Sequence, residues 1–204
     1  MRVPKSVEAL EDLGRVRLSR SFYMREFLYS EIANFYGVQN VPENPDLAIA
    51  NGKRLCEDLL EPLNATFGRI AIRSSYRSPS INALGNEKGH NCGSNDKNFA
   101  NHIWDIPDAE GLHGAMACVV VPWFTERYAA GADWRALAFW IHNHLPYSEL
   151  AFFPKLCAFN IGWHEKPKRV IHSFIKPLHK FSPGEAPNPA YAQYYSGFPE
   201  LRRG

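Results

Sequence analysis

The hydrophobic pattern of this chain changes period at Ile70, and that change restricts the fold more than any other feature. Upstream, apolar residues recur at helical spacing. Ser21 is placed to cap a helix running through Tyr36, carrying Phe27, Leu28, Ala33 and Phe35, with Gly37 positioned to end it. A second helix is predicted from Asn44-Pro45, where proline suits the first turn. It carries Leu47, Leu55, Leu59 and Leu63 and stops at Gly68, and Pro62 should kink or shorten it. From Ile70 the residues alternate: Ile70, Ile72 and Ser74 on one side, Ala71, Arg73 and Ser75 on the other. This strand signature leads into Tyr76-Arg77-Ser78-Pro79 and a short helix through Leu84. Gly85 to Phe99 reads as a long polar loop, and loops of that length inside domains are usually functional or disordered. His102 to Asp105 and Ala117 to Val121 are strand-like, and Trp134 to Leu145 is helical. Glu149 to Phe153, Ala158 to Glu165 and Arg169 to Ile175 are three further strands, the last two joined by a Lys-Pro-Lys turn. Helices followed by turn-linked strands predict an α+β domain with a largely antiparallel sheet.

Composition narrows the function. A 204-residue chain with 45% hydrophobic and 13% aromatic content can bury a core, which excludes bulk disorder. Lys and Arg number 23 against 21 Asp and Glu, so no excess charge points to nucleic acid or an anionic membrane. The longest apolar stretch, Ala115 to Phe124, is about half a bilayer span and contains Pro122, so no membrane span is expected. The N-terminus lacks a continuous apolar segment, which predicts a protein that is cytoplasmic as synthesised, without a signal peptide. Cys56, Cys92, Cys118 and Cys157 are scattered without a C-x-x-C pair. Free buried thiols are expected, with two disulfides formally open.

Polar residues cluster where the apolar periodicity breaks. Arg77, at the end of a strand, can aim its fork of donors at a carboxylate or an oxyanion, or can satisfy loop carbonyls. His102 and Asp105 are suitable zinc ligands by type, although positions three apart on a regular strand face opposite sides; the alternative is a structural His and an Asp that caps the next turn. His164 can complete such a set, and Glu165 can act as a base, although alternation puts it on the face opposite His164. His90 with Cys92, and His142 with His144, read as structural pairs. There is no G-x-S-x-G, H-E-x-x-H, G-x-x-x-x-G-K or G-x-G-x-x-G.

The order of several short motifs resembles the zinc D-alanyl-D-alanine carboxypeptidase-like proteins, peptidoglycan peptidases that share their fold with hedgehog signalling domains. The matching pieces are Leu18-Ser19, Phe22, Glu26-Phe27, Ser30, Ala33, Gly37-Val38, Asn40 and Pro42. Leu60-Glu61-Pro62-Leu63, Phe67-Gly68, Ser75-Tyr76-Arg77-Ser78-Pro79 and Asn82 follow, with a weaker return at Trp163-His164. The resemblance implies a peptidase-like domain over 18–176 after an N-terminal extension over 1–17; the prolines from Pro177 onward, with Tyr191, Tyr194 and Tyr195, mark a proline- and tyrosine-rich tail over 177–204. Carried over to this chain, it implies zinc held by Asp105 and His164 with His102 as the substitute third ligand, Arg77 in the chemistry, and Glu165 or Glu149 as the base. The chain departs from the family pattern S-x-H-x-x-G-x-A-x-D. Counting back from Asp105, Asn98 stands at the His position, Asn101 at the Gly and Ile103 at the Ala. His164 follows Trp163 directly instead of by two, and Ile161 stands where the family's base lies. The expected function is therefore a binding or structural module using the ancestral cleft, with zinc hydrolysis impaired or lost. Its partner would be a peptidoglycan peptide or a related peptide or glycan. The alternative is an active zinc peptidase of D-Ala peptides, such as a phage-type endolysin.

Overall fold

The computed structural model describes residues 1–176, 179–184 and 186–203. Helix α1 (Val7–Gly14) begins at Ser6, whose side chain accepts from the Ala9 N–H. The helix predicted over 21–36 is two: α2 (Met24–Leu28) and α3 (Glu31–Tyr36). Tyr29 is extended between them, and the Ser30 hydroxyl caps α3 by accepting from Ala33 N–H at 3.2 Å. That local bond competes with helix continuation. It also turns Phe35 out to 81% exposure, whereas Phe27 is fully buried. Gly37, at φ 66°, ends α3 in the left-handed conformation that suits glycine.

Helix α4 (Pro45–Leu55), capped by Asn44, runs through a π-helical turn at Cys56–Leu60 into α5 (Glu61–Phe67). The Glu61 N–H bonds Cys56 O, five residues back. Pro62 has no N–H and clashes with a regular preceding turn, so the wider turn absorbs it where a kink was expected. The buried Glu61 carboxylate accepts from the Ser19 hydroxyl at 2.8 Å, from Ser21 Oγ at 3.0 Å and from the Ser21 N–H, tying 19–21 to α5.

Strand β1 (Ala71–Ser74) is followed by α6 (Pro79–Glu87) and a single turn, α7 (Asn95–Asn98), inside the predicted loop. Residues 102–105 are turns, apart from an isolated bridge of Ile103 to Phe99, and do not form a strand. Trp104 is fully buried, and its backbone oxygen takes Asn51 Nδ2 at 2.7 Å instead of a ladder bond. Gly52 makes this possible, because a Cβ there would stand 2.7 Å from the Trp104 ring. Strand β2 (Gly114–Val120), helices α8 (Pro122–Ala129) and α9 (Trp134–His144), and strands β3 (Glu149–Phe152), β4 (Phe159–His164), β5 (Val170–Ser173) and β6 (His179–Phe181) complete the fold.

The sheet order is β1-β2-β4-β3-β5-β6. Every neighbouring pair is antiparallel except β3 with β5, so the α+β architecture carries a mixed sheet. Ala117, Val119, Phe159, Ile161, Leu150, Phe152 and Ile171 alternate onto its core face and are fully buried. On the other face Cys118, Asn160, Ala151 and His172 form a cross-strand row that stays partly open. The tail packs on α9: Tyr191 stacks on Phe139 at 4.0 Å, and Trp140 Nε1 donates to Pro199 O at 3.2 Å. The expected tail boundary at Pro177 lies outside the described residues. All four cysteines are free. Among the described residues no helix is long and apolar enough to cross a membrane.

Candidate functional site

Where β1 ends, the chain swings Arg77 into a cleft of about 340 Å³ on the open side of the sheet. Ser74 to Arg77 form one wall, Tyr29 to Ile32 another, and Cys92, His102, Cys118 and Asn160 line the rest. Arg77 is fixed from both ends. Its backbone N–H donates to His102 O at 2.8 Å, while Nη1 reaches Cys92 Sγ at 2.7 Å and Nη2 reaches Asn98 Oδ1 at 3.4 Å. Its Nε is buried without a hydrogen-bond partner. Among the described residues no carboxylate lies within ion-pairing distance of the guanidinium. Burial pushes Arg77 below the usual arginine range, with the Cys92 sulfur acting the other way.

His102 shares this cleft. Its Nδ1 lies 2.8 Å from Ser75 O, and a carbonyl only accepts, so Nδ1 carries the proton and Nε2 the lone pair. Burial, reinforced by the Arg77 charge, lowers its pKa to about 3. Burial likewise pushes the Cys118 thiol up to about 11.

The other proposed ligands are elsewhere. Asp105 is buried, and its Oδ2 accepts the N–H groups of Glu43 at 2.8 Å and Asn44 at 3.1 Å. Its Oδ1 accepts the Tyr76 hydroxyl at 3.1 Å. It therefore anchors the entry to α4, while burial and the Asp105 charge hold the Tyr76 phenol well above its ordinary range. His164, 6% exposed, places Nε2 at 3.1 Å from Asp108 Oδ2, and Nδ1 at 3.1 Å from the Lys166 N–H. Glu165 accepts from the His113 N–H at 2.7 Å. The structure thus brings Arg77 and His102 together and leaves Asp105, His164 and Glu165 outside their cleft. Among the described residues no three His, Cys, Asp or Glu side chains are grouped to hold a metal ion. His102, Asp105 and His164, the donor set named for zinc, are not assembled around one point.

Sequence reasoning passed over Cys92 and His90 as a structural pair, yet both line the cleft. Cys118 was equally available to it, since it sits out of phase with core-facing Ala117 and Val119 in β2. Two larger concavities flank the cleft. One of about 880 Å³ runs along Arg69–Ile72, and one of about 600 Å³ lies between α1 and the segment 37–41. Comparison with family models, curated proteins and solved structures gives no match.

Proposed function

We propose that the chain is a non-hydrolytic binding module on a D-alanyl-D-alanine carboxypeptidase-like scaffold, taking peptidoglycan-type peptides by their terminal carboxylate at Arg77. The observation that carries this reading is the Arg77 guanidinium itself. It sits in a cleft wall with no carboxylate partner, and its buried Nε has no hydrogen-bond partner at all. A desolvated cation without a counter-ion is costly, and a planar carboxylate matches the guanidinium fork in both charge and geometry. Bond economy supports binding over hydrolysis. For Asp105 to become a metal ligand it must release the N–H groups of Glu43 and Asn44 and the buried Tyr76 hydroxyl. His164 has both ring nitrogens engaged as well. Asn98, at the position of the family's first ligand, faces Arg77 with its carbonyl oxygen.

The test is calorimetric titration with diacetyl-Lys-D-Ala-D-Ala as free acid and as amide, alongside an assay for released D-alanine. The free acid should bind, the amide at least about tenfold more weakly, and R77Q should abolish the difference between them. Equal binding of acid and amide refutes the carboxylate site. D-Alanine release that disappears in both D105A and H164A establishes the zinc peptidase instead.

A further inference from the structure

Tyr29 lines both the 340 Å³ cleft and the 880 Å³ groove, so the two meet at this one side chain. Their other wall is also shared: Arg69 to Ile72 in the groove, Ser74 to Arg77 in the cleft. Together they form one trough: the groove follows the outer edge of β1, and the cleft continues it past the C-terminal end of the strand over the open face of the sheet, with α2 and the start of α3 opposite. β1 is the terminal strand of the sheet, paired only with β2. Among the described residues no backbone hydrogen bond of Ala71–Ser74 goes anywhere except to β2. The free edge has defined ends. Asn64 Oδ1 accepts from the Ile70 N–H at 3.2 Å, and His102 Nδ1–H donates to Ser75 O at 2.8 Å. Four residues of strand, about 13 Å at roughly 3.3 Å each, therefore present outward N–H and C=O groups in a groove.

The charges along this edge share one sign. Arg69, Arg73 and Arg77 fall four apart, and none has a carboxylate within ion-pairing distance among the described residues. The facing wall carries Glu26, whose carboxylate accepts from the Tyr23 N–H, and Glu31, two negative charges against the three arginines of the edge. We propose that this edge takes an extended, acidic peptide as an added strand, its backbone on β1 and its terminal carboxylate at Arg77. The polarity follows from the position of Arg77. The carboxyl end lies past the C-terminal end of β1 and the chain trails back toward Arg69, so the added strand is parallel to β1. Backbone pairing supplies affinity without dictating side chains, and the arginines favour an acidic residue upstream of the terminus. This inference rests on the carboxylate reading of Arg77 and extends it from a terminal contact to a strand-length site.

Fluorescence anisotropy with the hexapeptide Glu-Thr-Val-Thr-D-Ala-D-Ala, free acid and labelled at its amino end, separates the two ideas. Acetyl-D-Ala-D-Ala is the short competitor. The hexapeptide should bind at least about tenfold more tightly than the short acid. Of two versions N-methylated at alternate positions, one should lose about tenfold and the other should bind as the parent does, because only alternate N–H groups face the neighbouring strand. R69E and R73E, both at exposed positions, should weaken the hexapeptide several-fold and leave the short acid unchanged. Equal affinity of the short acid and the hexapeptide, or equal effects of the two methylation patterns, overturns strand addition while the Arg77 carboxylate site stands. Failure of both free acids to bind overturns the functional reading and strand addition together.

Discussion

Replacing His102 with glutamine should reverse the stability order of variant and parent between neutral and acid pH. In the folded protein the imidazole is buried and neutral, with its pKa lowered to about 3 by desolvation and by Arg77. In the unfolded chain it titrates near the ordinary value of about 6.5. The folded state therefore resists a proton that the unfolded state accepts. The neutral ring's contribution is complete above about pH 6.5 and falls as pH drops toward 3, by about 1.4 kcal/mol per pH unit. Between pH 7 and pH 4 the parent should lose about 3 kcal/mol through this residue alone. Glutamine has no titration to lose, and its amide can still donate to Ser75 O. Its cost at pH 7 is then mainly imperfect packing, about 1 kcal/mol. H102Q should be about 1 kcal/mol less stable than the parent at pH 7 and about 2 kcal/mol more stable at pH 4. Urea midpoints for both proteins at each pH measure this directly, since all other titrating groups are common to the pair. A difference that stays constant from pH 7 to pH 4 would refute the argument, because it would mean that His102 takes up its proton as readily folded as unfolded.

Three further outcomes follow from the same bonds. D105A strands two backbone N–H groups and the Tyr76 hydroxyl, and should cost about 3 kcal/mol, or roughly 6–12 °C in melting temperature; a loss below about 1 kcal/mol refutes the anchoring role. N143A removes the reciprocal bonds to Asn188 and the bond to the Tyr195 hydroxyl. Limited proteolysis should then cut within 186–203 before the rest of the chain, and unchanged cleavage contradicts the anchoring of the tail by Asn143. His142, held neutral by burial and by Arg169, sits with Nδ1 near Arg169 Nη2 and Tyr147 and bonds Ala186 O through Nε2. Its contribution is intact above about pH 6.5 and declines below it, so tail cleavage should accelerate on acidification in the parent and not in H142Q.

The architecture was readable wherever one period ran unbroken. Alternation placed β3, β4 and β5, and helical spacing placed α9, to within about two residues at each end. It failed where a local polar group redirected the chain. Ser30 interrupts the helix expected over 21–36, and only its cap on Ala33 explains why Phe35 is exposed although its spacing fits. The segment 102–105 has the apolar content of a strand, yet Trp104 is drawn under α4 through the opening at Gly52. That contact joins positions about fifty residues apart, and no window along the chain contains both.

The site was half legible for a related reason. Arg77 announces itself by local context, because a cation where a strand breaks has few local partners. Asp105 does not, because what decides its role lies sixty residues upstream in the N–H groups of Glu43 and Asn44. Residue type leaves Asp105 open as a ligand or as a structural cap; in this structure its carboxylate is taken up by two backbone N–H groups and the Tyr76 hydroxyl. The same distinction separates the two histidines. His164 is closed by Asp108 and Lys166, while His102 spends one nitrogen on Ser75 and keeps a lone pair beside Arg77. A buried polar atom whose bonds are complete holds the fold, and one left incomplete in a cleft is available to a ligand. By that criterion Arg77, through its unpartnered Nε, and the outer edge of β1 are open to a ligand. They adjoin in one trough, so a carboxylate at the first brings a peptide backbone within reach of the second.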